Sequence, residues 1–171
     1  MATIKPIETR YHGYRFRSRL EARWAILFDA LRIEWEFERE GYDLGALGYY
    51  LPDFWLPQVR MWAEVKAEPL TLEERVRCNA LVVGTRYPCL MLVGTPDVKP
   101  YDAICVDPGC LGTDDVYDCD FVISNYNQYP RDEHRFYCST GTSPADWPDE
   151  AFRMGFDDLA LAVAVARSAR F

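Results

Sequence analysis

Between Tyr49 and Gly94 the residue pattern constrains the supersecondary order of the chain. "YYLPDFWLPQVRMWAEVKAE" (49–68) reads as two strands rich in aromatic and aliphatic residues, joined by a turn near Pro57–Gln58. Thr71 and Glu74 then match a capping box, and Leu72, Val76, Ala80 and Val83 give a helix its buried side up to Gly84. "PCLMLVG" (Pro88–Gly94) follows as a fully buried strand. Strand, helix and buried strand make a βαβ unit, which predicts an α/β fold with at least one parallel strand pair.

Around that unit the signals are of unequal strength. "SRLEARWAILFDAL" predicts a helix over Ser18–Leu31, with Leu20, Trp24, Leu27, Phe28 and Leu31 on one stripe and Ser18/Glu21 as a capping box. "IEWEFERE" alternates, with Ile33, Trp35 and Phe37 opposite Glu34, Glu36 and Glu38, and predicts a half-exposed strand. "GYDLGALG" reads as a glycine-rich turn. In residues 95–145, "AICV" and "DFVIS" read as short strands, and the stretch from Asn125 to Pro144 as a long loop or small hairpin. A helix starting near Pro148 and ending in Arg167 and Arg170 closes the chain. No repeat or linker divides the 171 residues, so one domain is expected, with its core over about 14–94.

Composition narrows the function classes. Hydrophobic residues make up 49% and aromatics 15%, as in a folded globular chain. No apolar run approaches the ~20 residues that span a bilayer, and "MATIKPIETR" has no apolar export core, so a cytoplasmic protein without a membrane partner is expected. The six cysteines show no CxxC pair and are expected as reduced thiols, with a zinc site from Cys105, Cys110, Cys119, Cys138 and His134 as the alternative. Net charge is −8, yet residues 1–32 hold seven Lys or Arg against three acids, a local +4, leaving −12 on the remaining 139. That basic segment is either a phosphate-facing surface or a solvated helix face.

The charges inside the apolar hairpin carry the chemistry. Side chains alternate along a strand, so Trp62, Glu64 and Lys66 share a face, with Glu64 and Lys66 about 6.5–7 Å apart along it. Asp53 on the partner strand reaches the same region if register or twist brings it opposite Glu64. Two converging carboxylates repel, and a divalent cation with oxygen ligands, Mg²⁺ or Mn²⁺, would reconcile them. Lys66 beside it would help activate a water and offset phosphate charge. The competing explanation is a cross-strand salt bridge on a solvated face.

Pro52-Asp53 followed after ten residues by Glu64-Val65-Lys66 resembles the PD-(D/E)xK nuclease superfamily. "YRFRSRLEARWAILFDALRIEWEFEREGYDLG", "YYLPDFWLP", "WAEVKAEP", "LMLVG" and the closing "ARSARF" resemble a group of small phage- and bacteria-encoded members, over residues 11–94 and the tail. The resemblance implies a restriction-endonuclease-like core, a central mixed β-sheet flanked by helices. It implies Asp53, Glu64 and the Val65 carbonyl as Mg²⁺ or Mn²⁺ ligands, Lys66 as catalytic lysine, and Glu21 as a supporting acid, a role beside its capping one. Arg15, Arg17 and Arg19 would face substrate phosphates, with Arg23 assigned to the solvated helix face. The implied function is hydrolysis of phosphodiester bonds in nucleic acid, DNA in particular, with room for a protein that supplies DNA affinity and for a homodimer. Ala67 departs from the glycine often found after the lysine, and the bulk acidity departs from the usual basic lean. The alternative is a catalytically silent protein of the same fold, acting through its acidic surface on a phage or bacterial complex. His12 and His134 receive no role, and Tyr126, Tyr129 and Tyr137 are assigned to packing rather than base stacking.

Overall fold

A computed structural model describes residues 6–98, 100–106, 116–122, 137–138 and 156–171. The chain opens with a hairpin of β1 (Thr9–Tyr11) and β2 (Tyr14–Phe16). Its two-residue turn, His12–Gly13, has φ of 48° and 84°, the twist that suits a tight hairpin. Helix α1 (Arg19–Ala30) follows, capped by Ser18, whose hydroxyl accepts from the Glu21 N–H at 3.1 Å. Ala22, Trp24, Ala25, Leu27 and Phe28 bury one side of α1 completely. The helix stops where Arg32 takes a left-handed φ of 57°.

Strands β3 (Glu36–Phe37), β4 (Tyr42–Asp43), β5 (Tyr49–Tyr50), β6 (Phe54–Leu56) and β7 (Met61–Lys66) come next, with one 3-10 turn at Gly45–Leu47. Helix α2 (Leu72–Thr85) crosses to β8 (Cys89–Val93). Strands β9 (Pro100–Val106), β10 (Val116–Val122) and β11 (Tyr137–Cys138) and helix α3 (Phe156–Ser168) complete the described elements. Seven of the strands form one mixed sheet in the order β11-β10-β9-β8-β7-β6-β3, in which only β7 and β8 run parallel. The parallel pair is the one that the βαβ pattern predicts.

Alternation along β7 divides the core in two. Met61, Ala63 and Val65 point to the side where α1 and α3 pack, with Phe16, Trp24, Phe28, Phe54 and Leu90. Trp62 points to the α2 side, against Tyr50, Trp55, Cys78, Leu81, Cys89 and Met91. Each fully buried large side chain contributes about 1.5–3 kcal/mol of transfer free energy, so β7 is held from both faces.

Several expectations need correction. The strand from Ile33 narrows to Glu36–Phe37, because Ile33 is already packed beneath the end of α1. The glycine-rich stretch is a small hairpin, β4 with β5, in which the Asp43 carboxylate accepts from the Gly45 N–H. The stripe assigned to the core of α2 is only partly covered: Leu72 is 80% and Val76 39% exposed, Ala80 and Val83 are half-buried, and Cys78, Leu81 and Val82 are the buried residues instead. Residues of that helix had two overlapping apolar stripes, and packing against Trp62 and Cys89 selects the other one. Gly84 lies inside α2, which ends at Arg86 with φ 61°. "AICV" lies within the longer β9 and the Asp120–Val122 part of "DFVIS" within the longer β10, while residues 123–124 lie outside the described residues. The start of the C-terminal helix near Pro148, and most of the 125–144 loop, lie outside the described residues. No helix among the described residues is long and apolar enough to cross a membrane.

Candidate active site

The register of the β6–β7 hairpin builds the site. Phe54 lies opposite Ala63 and is the first residue of β6, so Val65 lacks a ladder partner from β6. The Asp53 carboxylate takes that place: its Oδ2 accepts from the Val65 N–H at 2.8 Å. The N–H and C=O of one strand residue face the same edge, so the Val65 carbonyl faces this edge too. Pro52 and the bond from the Glu38 N–H to the Asp53 carbonyl (2.9 Å) fix the backbone on the other side. Glu38 itself has φ 46°, an uncommon conformation for a residue with a Cβ, held at the edge of the site.

Two cations meet the acids here. Arg17 Nη2 lies 2.7 Å from Asp53 Oδ1 and 3.0 Å from Glu38 Oε1. Lys66 Nζ lies 3.0 Å from Glu64 Oε1 and 3.1 Å from Glu74 Oε1. Glu21 anchors the Arg17 backbone, accepting its N–H at 2.9 Å while also accepting the Ser18 hydroxyl at 2.8 Å. Thus its capping role is real, and its charge still bears on Asp53 and Arg17. Five carboxylates (Glu21, Glu38, Asp53, Glu64 and Glu74) therefore surround two cations, Arg17 and Lys66.

Asp53 and Glu64 are only 3% and 4% exposed, which makes the imbalance costly. Burial and the adjacent Glu64 charge push the Asp53 carboxyl well above the usual carboxylate range, against the opposing pull of the Val65 N–H and Arg17. Glu64 Oε2 is buried with no hydrogen-bond partner. Burial pulls the Lys66 ammonium down, but Glu64 and Glu74 outweigh it and hold Lys66 more firmly charged than a free lysine. Lys66 is accordingly held as an ammonium between these two acids.

No protein-family model, no curated protein and no solved structure matches the chain. Among the described residues no cluster of three or more His, Cys, Asp or Glu side chains forms a ready-made metal cage. The donors that fit a cation are two carboxylates and a carbonyl, and the orphaned Glu64 oxygen is the one without competition. Such a set suits a hard ion that keeps several waters, as Mg²⁺ does.

Of the sequence-predicted residues, the structure brings Asp53, Glu64, Val65, Lys66, Glu21 and Arg17 together. Arg15 is engaged elsewhere, in a two-oxygen ion pair with exposed Glu8. Arg19 extends toward the Phe171 carbonyl at 3.5 Å. Arg23 lies 5.9 Å from the Phe171 ring rather than on a solvated face, and its Nε is buried without a partner. Cys78 and Cys89 are buried free thiols, and the side chains of the four later cysteines and of His134, Tyr126, Tyr129 and Tyr137 lie outside the described residues.

Sequence reasoning missed Glu74 and Glu38 as members of the site. Glu74 was legible only as a helix cap, yet a capping box five residues beyond Lys66 already places its N3 acid near the end of β7. The Thr71 N–H and hydroxyl hold one Glu74 oxygen, at 2.8 and 2.9 Å, and leave the other for Lys66. Tyr50 is a third omission: its hydroxyl meets Cys78 Sγ at 3.2 Å, and the Glu64 charge helps raise its pKa after burial has done so.

Proposed function

We propose that the chain is a divalent-metal-dependent phosphodiesterase of nucleic acid, DNA in particular, built on a restriction-endonuclease-like core. One observation carries this reading: a buried acid pair, Asp53 and Glu64, that the local cations leave under-neutralised, with one Glu64 oxygen unpartnered. Asp53, Glu64 and the Val65 carbonyl are the donors for Mg²⁺ or Mn²⁺, which when bound acidifies a water and neutralises charge at phosphorus. Lys66, kept protonated by Glu64 and Glu74, donates to a phosphate oxygen or orients the attacking water. Glu74 fixes the position of that ammonium from the first turn of α2. Arg17, 58% exposed at its side chain, offers a guanidinium fork to a second phosphate oxygen.

The test is cleavage of plasmid, single-stranded and branched DNA with Mg²⁺ or Mn²⁺. Glu64→Ala and Lys66→Ala should each lose about 10²-fold or more of the parent rate. Equal rates in parent and variants would assign the activity to another source.

A second reading has a specific observation in its favour. Arg17, the Val65 N–H and Lys66 already occupy three of the four Asp53 and Glu64 oxygens, as in a silent scaffold that binds partners through its acidic body. Calorimetry separates the two: no heat with millimolar Mn²⁺ in the parent favours the scaffold.

A further inference from the structure

At the opposite end of α1 from Glu21 lies an open cavity of about 460 Å³, within the range of small-molecule sites. Eight residues of helix, about 12 Å of axis, separate Glu21 from Asp29 in its wall. His12, Tyr14, Asp29, Arg32, Glu34 and Trp35 surround it.

Three donors converge on Asp29. Trp35 Nε1 donates to Oδ1 at 2.8 Å, and the Tyr11 hydroxyl donates to Oδ2 at 2.7 Å. His12 Nδ1 lies 3.2 Å from the same Oδ2. The imidazole also stacks on Tyr11, with centroids 4.2 Å apart and planes 9° from parallel. His12 is therefore an oriented side chain, itself 62% exposed, with Nε2 as its uncommitted nitrogen among the described residues. Among the described residues, Arg32 has no carboxylate within ion-pair distance, and the Glu34 carboxylate has no hydrogen-bond partner. Only the Glu34 backbone is engaged, its N–H donating to Gln58. Tyr14 and Trp35, with ring centroids 5.0 Å apart, supply aromatic surface to the same cavity, which buried Ile33 also lines.

A guanidinium and an oriented imidazole lining one cavity want an anion; ring surfaces want a flat apolar group; a free carboxylate wants an N–H or O–H donor. We infer that this cavity, formed by the His12 turn and the end of α1, binds a nucleoside monophosphate. The phosphate meets the Arg32 guanidinium and the Nε2–H of a doubly protonated His12 whose Nδ1–H stays on Asp29, the base lies against Trp35 and Tyr14, and Glu34 accepts from a base amino group or sugar hydroxyl. The same chemistry is presented by a free mononucleotide and by a phosphorylated strand end. This site shares no residue with the Asp53–Glu64 pair and does not depend on a metal there.

The test is proton NMR of the full chain in chelator. Its two histidines give two imidazole C2 lines, and His12→Asn, suited to the left-handed backbone, assigns them. Titration with dAMP should move the His12 line. Inorganic phosphate or deoxyadenosine alone should bind at least about tenfold more weakly, as should dAMP to Arg32→Asn, which loses a charged contact but keeps an exposed, left-handed position. A 5′-phosphorylated oligonucleotide that binds as tightly as dAMP identifies a strand end as the occupant; one that is excluded identifies the free mononucleotide. Glu64→Gln should bind dAMP as the parent does. A motionless His12 line at millimolar dAMP, equal binding of phosphate alone, undiminished binding by Arg32→Asn, or loss of binding in Glu64→Gln would each overturn the inference.

Discussion

Replacing Arg17 by Gln should weaken the metal-free protein and strengthen its grip on Mn²⁺ by the same free energy. Arg17 donates a charged hydrogen bond of 2.7 Å to Asp53, a residue with almost no solvent to fall back on. Such bonds contribute about 1.5–3 kcal/mol, and the exposure of the guanidinium places this one near 2 kcal/mol. At about 2–4 °C per kcal/mol for a domain of this size, Tm should fall by about 4–8 °C in chelator. If a cation claims the same Asp53 oxygen, the metal-bound forms of parent and variant lack the pair alike. The cycle then closes only if the variant binds Mn²⁺ more tightly by about 2 kcal/mol, close to thirtyfold. Calorimetric titration supplies the affinities and thermal unfolding with and without Mn²⁺ the stabilities. Destabilisation with unchanged affinity would refute competition for Asp53. An unchanged Tm in chelator would refute the value placed on the ion pair.

Three further outcomes follow from the same geometry. Glu74→Gln keeps a group able to close the capping box but removes the second acid from Lys66, so cleavage should fall several-fold while thermal stability moves by less than about 1 kcal/mol. Tyr11 is pushed up to about 12 by burial and by its bond to Asp29, so the folded chain keeps a phenol proton that the unfolded chain releases from about pH 10. Stability should thus decline between about pH 10 and 12, and Tyr11→Phe should make that decline shallower in urea titrations; an unaltered slope would remove Tyr11 from the account. Trp24→Ala, which empties a fully buried site and deletes the 3.0 Å bond from Trp24 Nε1 to the Gly94 carbonyl, should cost about 3–5 kcal/mol.

Legibility in the sequence followed the number of independent signals at each place. The β7–α2–β8 unit combined a strand rich in aromatic and aliphatic residues, a capping box and an unbroken apolar run, and all three elements are found with their parallel pairing. The β4–β5 hairpin hid behind its glycines, since a two-residue strand has too short a pattern to show a period. Helix α2 shows why periodicity alone can select the wrong face. Leu72, Val76, Ala80 and Val83 form one acceptable stripe, and Cys78, Leu81 and Val82 form another beside it. Which one is buried depends on Trp62 and Cys89, residues of two other strands, and no local rule contains them.

The candidate site divides along the same line. Asp53, Glu64 and Lys66 were legible because charge in an apolar strand demands a partner, and strand alternation says which side to search. Glu38 was not legible, because its part depends on β3 lying beside β6 and on a left-handed φ that its sequence does not announce. Arg15, Arg17 and Arg19 looked equivalent by spacing, yet only Arg17 reaches the acids. It occupies the residue just before the Ser18 cap, where the chain turns from β2 into α1 and the Glu21 carboxylate pins its N–H. A cap that orders the start of a helix thereby also aims a guanidinium at Asp53. If that coupling holds, Ser18→Ala should both loosen α1, by about 1 kcal/mol, and raise Mn²⁺ affinity toward the Arg17→Gln value, since an unpinned Arg17 competes less well. Loss of stability without any gain in affinity would show that Arg17 is positioned by its acids alone.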